Sequence, residues 1–407
     1  MTVPFRSIRW PVIVALLWSF ACTCTWAQTT PTGTLRAAVL KPLQAAQEAL
    51  KNNQAQQAAA LAKEALAVQS LSNYELVSVQ RTLAVAALNA KDYEQASASL
   101  MSLLSQPELV QADQKIFLEL LTSARQQLKD HAGVVKSTRQ YLDAGGTKTE
   151  MRLALLQALS ALKADEEVVA QDQVWLKQGI RSLGESALRT LAVSYRNLKN
   201  QVGYEATLWR LLESHPSKAY WAESITRLAQ KANANPRWEL DMYRLLEETD
   251  NLEWVDEYTE MVELALKAGL PAEAQRVLEA GYKKGVMGQG AQAAVHQKLR
   301  QQVQAKVAED DKLLETLERT AKDGNSWAAV GDVRLSQQQW ALAKSAYDKA
   351  LIAGSLRREA EVQLHQAIAL LKTGDAAQCR KMLESIKDDA TALALANLWR
   401  IRSLNPS

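Results

Sequence analysis

The chain has 407 residues, 47% of them hydrophobic and 23% charged, so it can bury apolar surface and is not disordered by composition. Its 48 basic and 45 acidic residues nearly balance, which argues against bulk electrostatic binding to nucleic acid or to anionic lipid. Gly (16) and Pro (9) are scarce while Ala, Leu, Gln, Glu and Lys fill most windows, so the composition predicts an all-α protein.

The first residues read as an export signal. Arg6 and Arg9 precede an apolar stretch over 12–21, and Thr25-Trp26-Ala27 puts small residues where a signal peptidase reads. The pattern predicts a signal peptide over residues 1–27, cleaved between Ala27 and Gln28. The competing reading is a retained anchor, but the apolar run from Trp10 to Trp26 is shorter than the roughly 20 residues a spanning helix needs. No later run is apolar enough to span. An alternative is a lipoprotein anchored at Cys22, for which Ser19-Phe20-Ala21 is a poor match apart from its adjacent Ala. Cleavage at Ala27 removes Cys22 and Cys24 and leaves Cys379 alone, so no internal disulfide is expected and no zinc site is suggested. It also removes Arg6 and Arg9, bringing the net charge close to zero.

After a polar linker over 28–34, residues 35–285 read as an array of helix pairs. Leu43, Ala46 and Leu50 mark the first helix, Asn52-Asn53-Gln54 breaks it, and Ala58, Leu61, Ala62, Ala65 and Leu66 mark the second. Val79, Leu83, Ala84, Ala87 and Leu88 precede the turn at 90–93. Ala96, Leu100, Leu103 and Leu104 follow it, and Pro107 ends that helix. Over 110–182 the pattern is helical but degenerate: Ile116, Leu120, Leu121, Ala124 and Leu128, then Val134, Val135 and Leu142, then a stop at Gly145-Gly146. Helices over 151–162 and 168–176 come next. Leu191, Ala192 and Tyr195 pair with Leu208, Leu211 and Leu212, and the segments 220–232 and 238–246 make a further pair. Tyr258, Met261, Val262 and Ala265 lead to Gly269-Leu270-Pro271, where Gly suits a left-handed cap and Pro a first helical turn. Ala274, Leu278, Gly281 and Tyr282 complete that unit. Residues 286–323 interrupt the period as one long polar helix over 291–322, with Val295, Leu299, Val303, Val307, Leu313, Leu314 and Leu317 on its apolar side. It is the candidate joint between two arrays.

Residues 324–407 carry the sharpest pattern. Trp327, Val330 and Gly331 are followed at helical spacing by Trp340, Ala343, Tyr347, Ala350 and Leu351. This resembles one tetratricopeptide repeat (TPR), with its Trp-x2-Leu-Gly-x2-Tyr start and its Ala-x3-Phe continuation over about 34 residues. Arg334 departs from it, standing where an aromatic is expected. Gly331 and Ala343 are separated like Ala84 and Ala96, which supports one repeating unit. A last pair carries Leu364, Ala367 and Leu370, then Cys379, Leu383 and Ile386. The helix over 393–401 is expected to cap the array, with Trp399 over its open end. The resemblance implies a superhelical α-solenoid of TPR-like hairpins with a C-terminal capping helix.

No motif points to catalysis, a cofactor or a metal. Cys379 falls where neighbouring repeats carry Ala343 and Ala274, so a buried small side chain outweighs a reactive thiol. His131, His215, His296 and His365 share no metal-ligand spacing on one helix. Glu166-Glu167, Glu247-Glu248 and Glu309-Asp310-Asp311 read as solvated helix faces or ends, and Arg357-Arg358 and Lys283-Lys284 are too isolated for a nucleic-acid patch. Of the tryptophans beyond the signal, Trp327 and Trp340 are expected in the core, and Trp221 and Trp254 stay open between core and binding surface. In a TPR array the first helices line the concave face. The resemblance therefore makes Asp256, Thr259, Glu263, Lys267, Asn325 and Asp332 the candidate partner-binding residues, against the commoner reading of an ordinary solvated face.

From about residue 217 onward the chain is similar to periplasmic TPR proteins that accompany TonB–ExbB–ExbD energy-transducing systems. Tyr220-Trp221, the segment 265–286 (ALKAGLPAEAQRVLEAGYKKGV), the spacer with Glu309-Asp310-Asp311 and the segment 324–354 carry that likeness. It implies a periplasmic, non-catalytic adaptor whose partners are other envelope proteins, with no nucleic acid and no transmembrane segment in the mature chain. The alternatives are a helical scaffold subunit of a cell-wall-acting enzyme and a groove-type carrier of an extended peptide or small ligand.

Overall fold

The computed structural model describes residues 33–405 apart from residue 108 and residues 233–235. The signal peptide, its cleavage point and Cys22 lie outside the described residues, as does most of the 28–34 linker. Every regular element among the described residues is helical, and no helix is long and apolar enough to cross a membrane. The chain divides into two compact units, one ending at Thr147 and one spanning Lys148–Ser407. That boundary falls inside the degenerate stretch 110–182, not at the spacer where the repeat pattern breaks.

The first unit contains α1 (Ala37–Lys51), α2 (Ala55–Leu66), α3 (Asn73–Asn89), α4 (Tyr93–Leu104), α5 (Gln111–Gln127) and α6 (His131–Asp143), which pair as hairpins. The second begins with α7 (Thr149–Ala161), α8 (Asp165–Lys177), α9 (Glu185–Asn197), α10 (Gln201–Ser214), α11 (Lys218–Ala232) and α12 (Glu239–Glu248), the last preceded by a 3-10 turn, Pro236–Trp238. It continues with α13 (Val255–Lys267), α14 (Pro271–Lys284), α15 (Ala293–Thr320), α16 (Gly324–Ser336), α17 (Trp340–Ala353), α18 (Glu359–Lys372), α19 (Ala376–Ser385) and α20 (Ala390–Arg402).

One turn builds most of these hairpins. The first helix ends on a residue in the left-handed region: Asn53, Lys91, Lys129, Lys163, Lys199, Gly269, Gln338 or Gly374. The next backbone N–H then reaches back to a carbonyl in the last turn, as Asp92 does to Ala87 (2.8 Å) and Asp375 to Leu370 (2.9 Å). This satisfies carbonyls that a helix end leaves open and reverses the chain within three residues. Asp92, Asp130, Asn200 and Asp375 cap the following helix by accepting the N–H of Gln95, Gly133, Gly203 and Gln378. Such a cap is worth about 1 kcal/mol.

The turn sets equivalent positions in each hairpin, seven residues before its left-handed residue and five after. Counting from it, the pairs are Ala46/Ala58, Ala84/Ala96, Thr122/Val134, Leu156/Val168, Ala192/Tyr204, Val262/Ala274, Gly331/Ala343 and Ala367/Cys379. All of these residues are buried. The degenerate stretch therefore keeps the register of the clear repeats and only changes the size of the side chains at the crossing. At Gly331 the crossing requires glycine: an added Cβ would lie 2.4 Å from the Tyr347 ring.

Several expectations need correction. The long helix starts at Ala293, after a 3-10 turn at Gly290–Gln292, and ends at Thr320, so it is shorter than 286–323. Leu299 and Val303 join the α13–α14 core and Leu314 joins Val330 and Ala346, but Val295 and Leu313 are 60% and 63% exposed. A 28-residue helix serving two different cores does not keep a single apolar stripe buried throughout. Trp327 and Trp340 are half-buried at the core margin, with the Lys349 ammonium 3.9 Å from the Trp327 ring centroid. Trp221 is buried, while Trp254 is 69% exposed. Trp399 of the last helix, α20, is 2% exposed. It is buried in one core with Leu212 of α10, Trp221 of α11, Trp238 of the 3-10 turn, Leu245 of α12, Tyr347 of α17 and Leu364 of α18. Within the second unit, α20 thus packs back against α10 and α11, and side chains of α18 and α20 reach α12.

Candidate functional site

The two stretches that supplied candidate binding residues differ in what they build. On α13, Tyr258, Met261, Val262 and Ala265 are buried, and the opposite face carries Asp256, Glu263 and Lys267 exposed to solvent. Thr259 lies between, half-buried, its hydroxyl donating to the Val255 carbonyl at 2.9 Å. These four share one helix face. Asn325 and Asp332 are elsewhere and engaged. Asn325 donates to the Ser355 carbonyl (3.2 Å) and accepts from the Arg357 N–H (3.0 Å), so it ties the α17–α18 loop to α16. The Asp332 side chain is 35% exposed and lies at the rim of a buried cluster. Its Oδ1 accepts from the Tyr347 hydroxyl and from His365 Nδ1, both at 2.7 Å. Asn325 and Asp332 thus make intramolecular hydrogen bonds while remaining partly exposed.

Asp332 belongs to a buried ionic cluster in the second unit. Asp241 and Arg244 come from α12, Glu273 from α14, Tyr347 from α17 and His365 from α18. Arg244 makes a bidentate pair with Glu273 (2.9 and 2.7 Å), and its Nη1 donates to Asp241 Oδ1 at 2.8 Å. His365 Nε2 reaches the same oxygen at 3.0 Å. Burial alone lowers the His365 pKa, but Asp241 and Asp332 outweigh it and raise it to about 10, so the ring is held as the cation. Burial alone raises the Asp241 pKa, and His365 and Arg244 outweigh it, bringing it to about 2. Glu273 is likewise depressed by Arg244 against its burial. Burial, then Asp332, pushes the Tyr347 phenol well above its ordinary value. Removing charges from water is costly unless each finds a partner, and here each does.

The cluster continues at both ends of α12. Arg237 pairs with Glu361 of α18 and, at 3.0 Å, with Asp388 just before α20. The Trp238 indole N–H donates to Asp389 at 3.2 Å. Glu248 meets Lys372 of α18, and Arg402 of α20 at 3.0 Å. Arg400 of α20 pairs with Glu213 of α10 at 2.6 Å.

A cleft of about 530 Å³ opens between the start of α14, the C-terminal half of α15 and the α16–α17 turn, lined among others by Arg276, Leu314, Glu315 and Gln337. Arg334 stands beside it. Its guanidinium holds Glu318 of α15 at 2.7–2.8 Å and also donates to Gln339, which explains the departure from an aromatic: the position clamps the spacer helix to the hairpin turn. Cys379 is buried at the α18–α19 crossing, where burial pushes its thiol up to about 11, far from the thiolate a nucleophile needs. No group of three or more metal-ligating side chains is assembled among the described residues.

Sequence reasoning named Asp332 and His365 without joining them, and it missed Asp241, Arg244 and Glu273. The local signal was an Asp–Arg pair three residues apart on a short helix, which alone reads as a surface pair. His365 lies 124 residues from Asp241, a separation that no local pattern spans.

No family model and no curated protein matches this sequence. Among solved structures, the chain is similar to one titled "Structure of Naa15/Naa10 bound to HypK-THB", with 13% identity over 91% of this chain and 54% of that one, and a TM-score of 0.36. This chain therefore spans about half the length of that relative. It also matches "Crystal Structure of the Yeast Tom70", with 12% identity over 89% of this chain and 96% of that one, and a TM-score of 0.21.

Proposed function

We propose that this chain is a non-catalytic scaffold that binds other proteins through the faces of its helix hairpins. The observation that carries the reading is the α13 face. Its packing side is fully buried, while Asp256, Glu263 and Lys267 stand exposed in one line on the other side. A charged line of this kind on a rigid hairpin suits recognition of a complementary protein surface, where charge sets specificity and rate of encounter. The location and system are part of the proposal. The Arg6/Arg9 leader with its Ala27/Gln28 site supports export to the periplasm. The likeness over 265–286 supports service to a TonB-type transport complex of the envelope.

The test is affinity capture from envelope extract with the wild-type chain and with an Asp256→Lys, Glu263→Lys variant of equal helicity. Retention of defined envelope proteins by the wild type and their loss in the variant is expected. Equal retention by both, or none by either, would remove the α13 face from the function. A fusion of residues 1–34 to a periplasm-dependent reporter tests export, and an inactive reporter would withdraw the location. The cleft beside Arg276 favours a second reading, a carrier of an extended peptide, which predicts binding that survives the α13 substitutions.

A further inference from the structure

The cleft beside Arg276 has three walls of different chemistry. Arg276 stands on α14, Glu315 on α15, and Gln337, Gln338 and Gln339 at the α16–α17 turn; Ala272 and the buried Leu314 add apolar lining. Its volume of about 530 Å³ falls within the range of about 300–1,000 Å³ found for ligand sites. Arg334 ties Glu318 of α15 to Gln339 of the turn, so two of the walls are fixed to one another. Both guanidinium groups at the cleft are already neutralised, Arg276 by Glu247 and Arg334 by Glu318, so neither offers a free charge to an anion. Glu315 is exposed and pairs with no cation among the described residues. Two polar atoms of the lining side chains are buried without a partner. One is a donor, Arg276 Nε–H, and the other an acceptor, Gln337 Oε1. Buried polar groups are normally paired, and an unpaired one is costly. On Arg276 the other two nitrogens are committed to the protein, Nη1 to Glu247 and Nη2 towards Glu273 at 3.8 Å.

A ligand that answers this lining brings an acceptor to α14, a donor to the turn and a positive charge to α15. A simple amine lacks the acceptor, and a simple amide lacks the charge. An extended peptide supplies all three, since each residue of its main chain carries one N–H and one C=O. We infer that the cleft binds a short extended peptide segment bearing a lysine or arginine, recognised through its main chain. A peptide carbonyl accepts from Arg276 Nε, a peptide N–H donates to Gln337 Oε1, and the cationic side chain lies against Glu315. This inference rests on the peptide-carrier reading of the cleft and names what such a carrier selects: a positive side chain at one position, with the neighbouring side chains left open. Because the walls belong to α14, α15 and the α16–α17 turn, a bound segment also bridges the spacer helix and the hairpins on either side of it.

The probe is a fluorescein-labelled pentapeptide with lysine at its centre, alanine elsewhere and blocked ends, read by anisotropy against the full chain. Two companion peptides carry glutamate in place of the lysine, or methyl groups on the central amide nitrogens. The proteins are the wild type, Glu315→Lys at an exposed position, and Gln337→Leu. The wild type is expected to bind the lysine probe about two- to fivefold more tightly than the glutamate probe, and Glu315→Lys to reverse that order. Methylation should weaken binding to the wild type about tenfold and make no further difference to Gln337→Leu. If Gln337→Leu does not fold, the reversal by Glu315→Lys decides alone. A lysine preference that persists in Glu315→Lys, or a methylation effect that persists in Gln337→Leu, overturns the inference. Equal binding of the three probes by the wild type overturns it too and leaves the peptide-carrier reading standing, whereas binding of none of them removes both. None of these results touches the α13 capture experiment.

Discussion

Replacing Arg244 by methionine tests whether the buried cluster is a set of matched charges. The side chain is 8% exposed and holds two carboxylates. Its loss does not orphan both. Asp241 keeps His365 at 3.0 Å, while Glu273 retains only Arg276 at 3.8 Å, a cation already paired with Glu247. One buried carboxylate is thus left without a close partner, and breaking a buried pair from one side costs about 3–5 kcal/mol. With Asp241 still served, a loss of about 3 kcal/mol is expected. Removing the orphan as well, in Arg244→Met with Glu273→Met, is expected to recover stability to within about 1 kcal/mol of wild type, since apolar groups of similar volume can replace an ion pair. Urea unfolding of residues 28–407 followed by tryptophan fluorescence reads the second unit selectively, because every tryptophan after Trp26 lies beyond residue 148. A single variant that loses less than about 1 kcal/mol, or a double variant as unstable as the single, refutes the assignment.

The same cluster sets a pH dependence. The His365 pKa is raised from 6.5 to about 10, so its contribution is complete below pH 6.5 and is lost as pH rises through 10. The Asp241 pKa is lowered from 3.8 to about 2, so its contribution is complete above pH 3.8 and is lost as pH falls through 2. Urea midpoints measured from pH 6 to about pH 10 should fall in the wild type and fall less in His365→Gln; parallel slopes would contradict the assignment. Lys91, Lys129, Lys163 and Lys199 occupy left-handed backbone with φ between 55° and 62°. Glycine there removes a side-chain clash worth about 1 kcal/mol, and each Lys→Gly variant should melt at a higher temperature than wild type. Gly331→Ala should instead cost about 1–3 kcal/mol through collision with the Tyr347 ring, measured by the fluorescence titration above.

The helices and their pairing were legible in the sequence because they depend on neighbours. Apolar spacing marked the buried faces, and the recurrence of Ala84/Ala96 in Gly331/Ala343 gave the crossing register. The buried state of Cys379 followed from that register. Where the side chains at the crossing grow, as at Leu156 and Val168, the small-residue signature disappears although the backbone turn persists. The return of α18 and α20 to α10–α12 left no local trace. Its contacts join residues that composition treats as ordinary surface charges, and only the folded chain shows that Asp332 meets His365. Trp254 and Trp221 also could not be separated from spacing alone, since both lie near helix starts and only packing distinguishes an exposed from a buried indole.

The return of the last helices onto α12 also bears on how the second unit forms. A row of repeats in which each touches only the next can fold outward from any point, with stability close to a sum of neighbouring terms. Here Arg400 meets Glu213 across 187 residues, and Trp238 meets Asp389 across 151. Such long closures must be made before their contacts contribute, which slows folding and ties the members into one cooperative transition. During synthesis α12 emerges well ahead of α18 and α20, so its apolar stripe stays uncovered until the final helices arrive. The interval between those events is when this chain has most need of a chaperone.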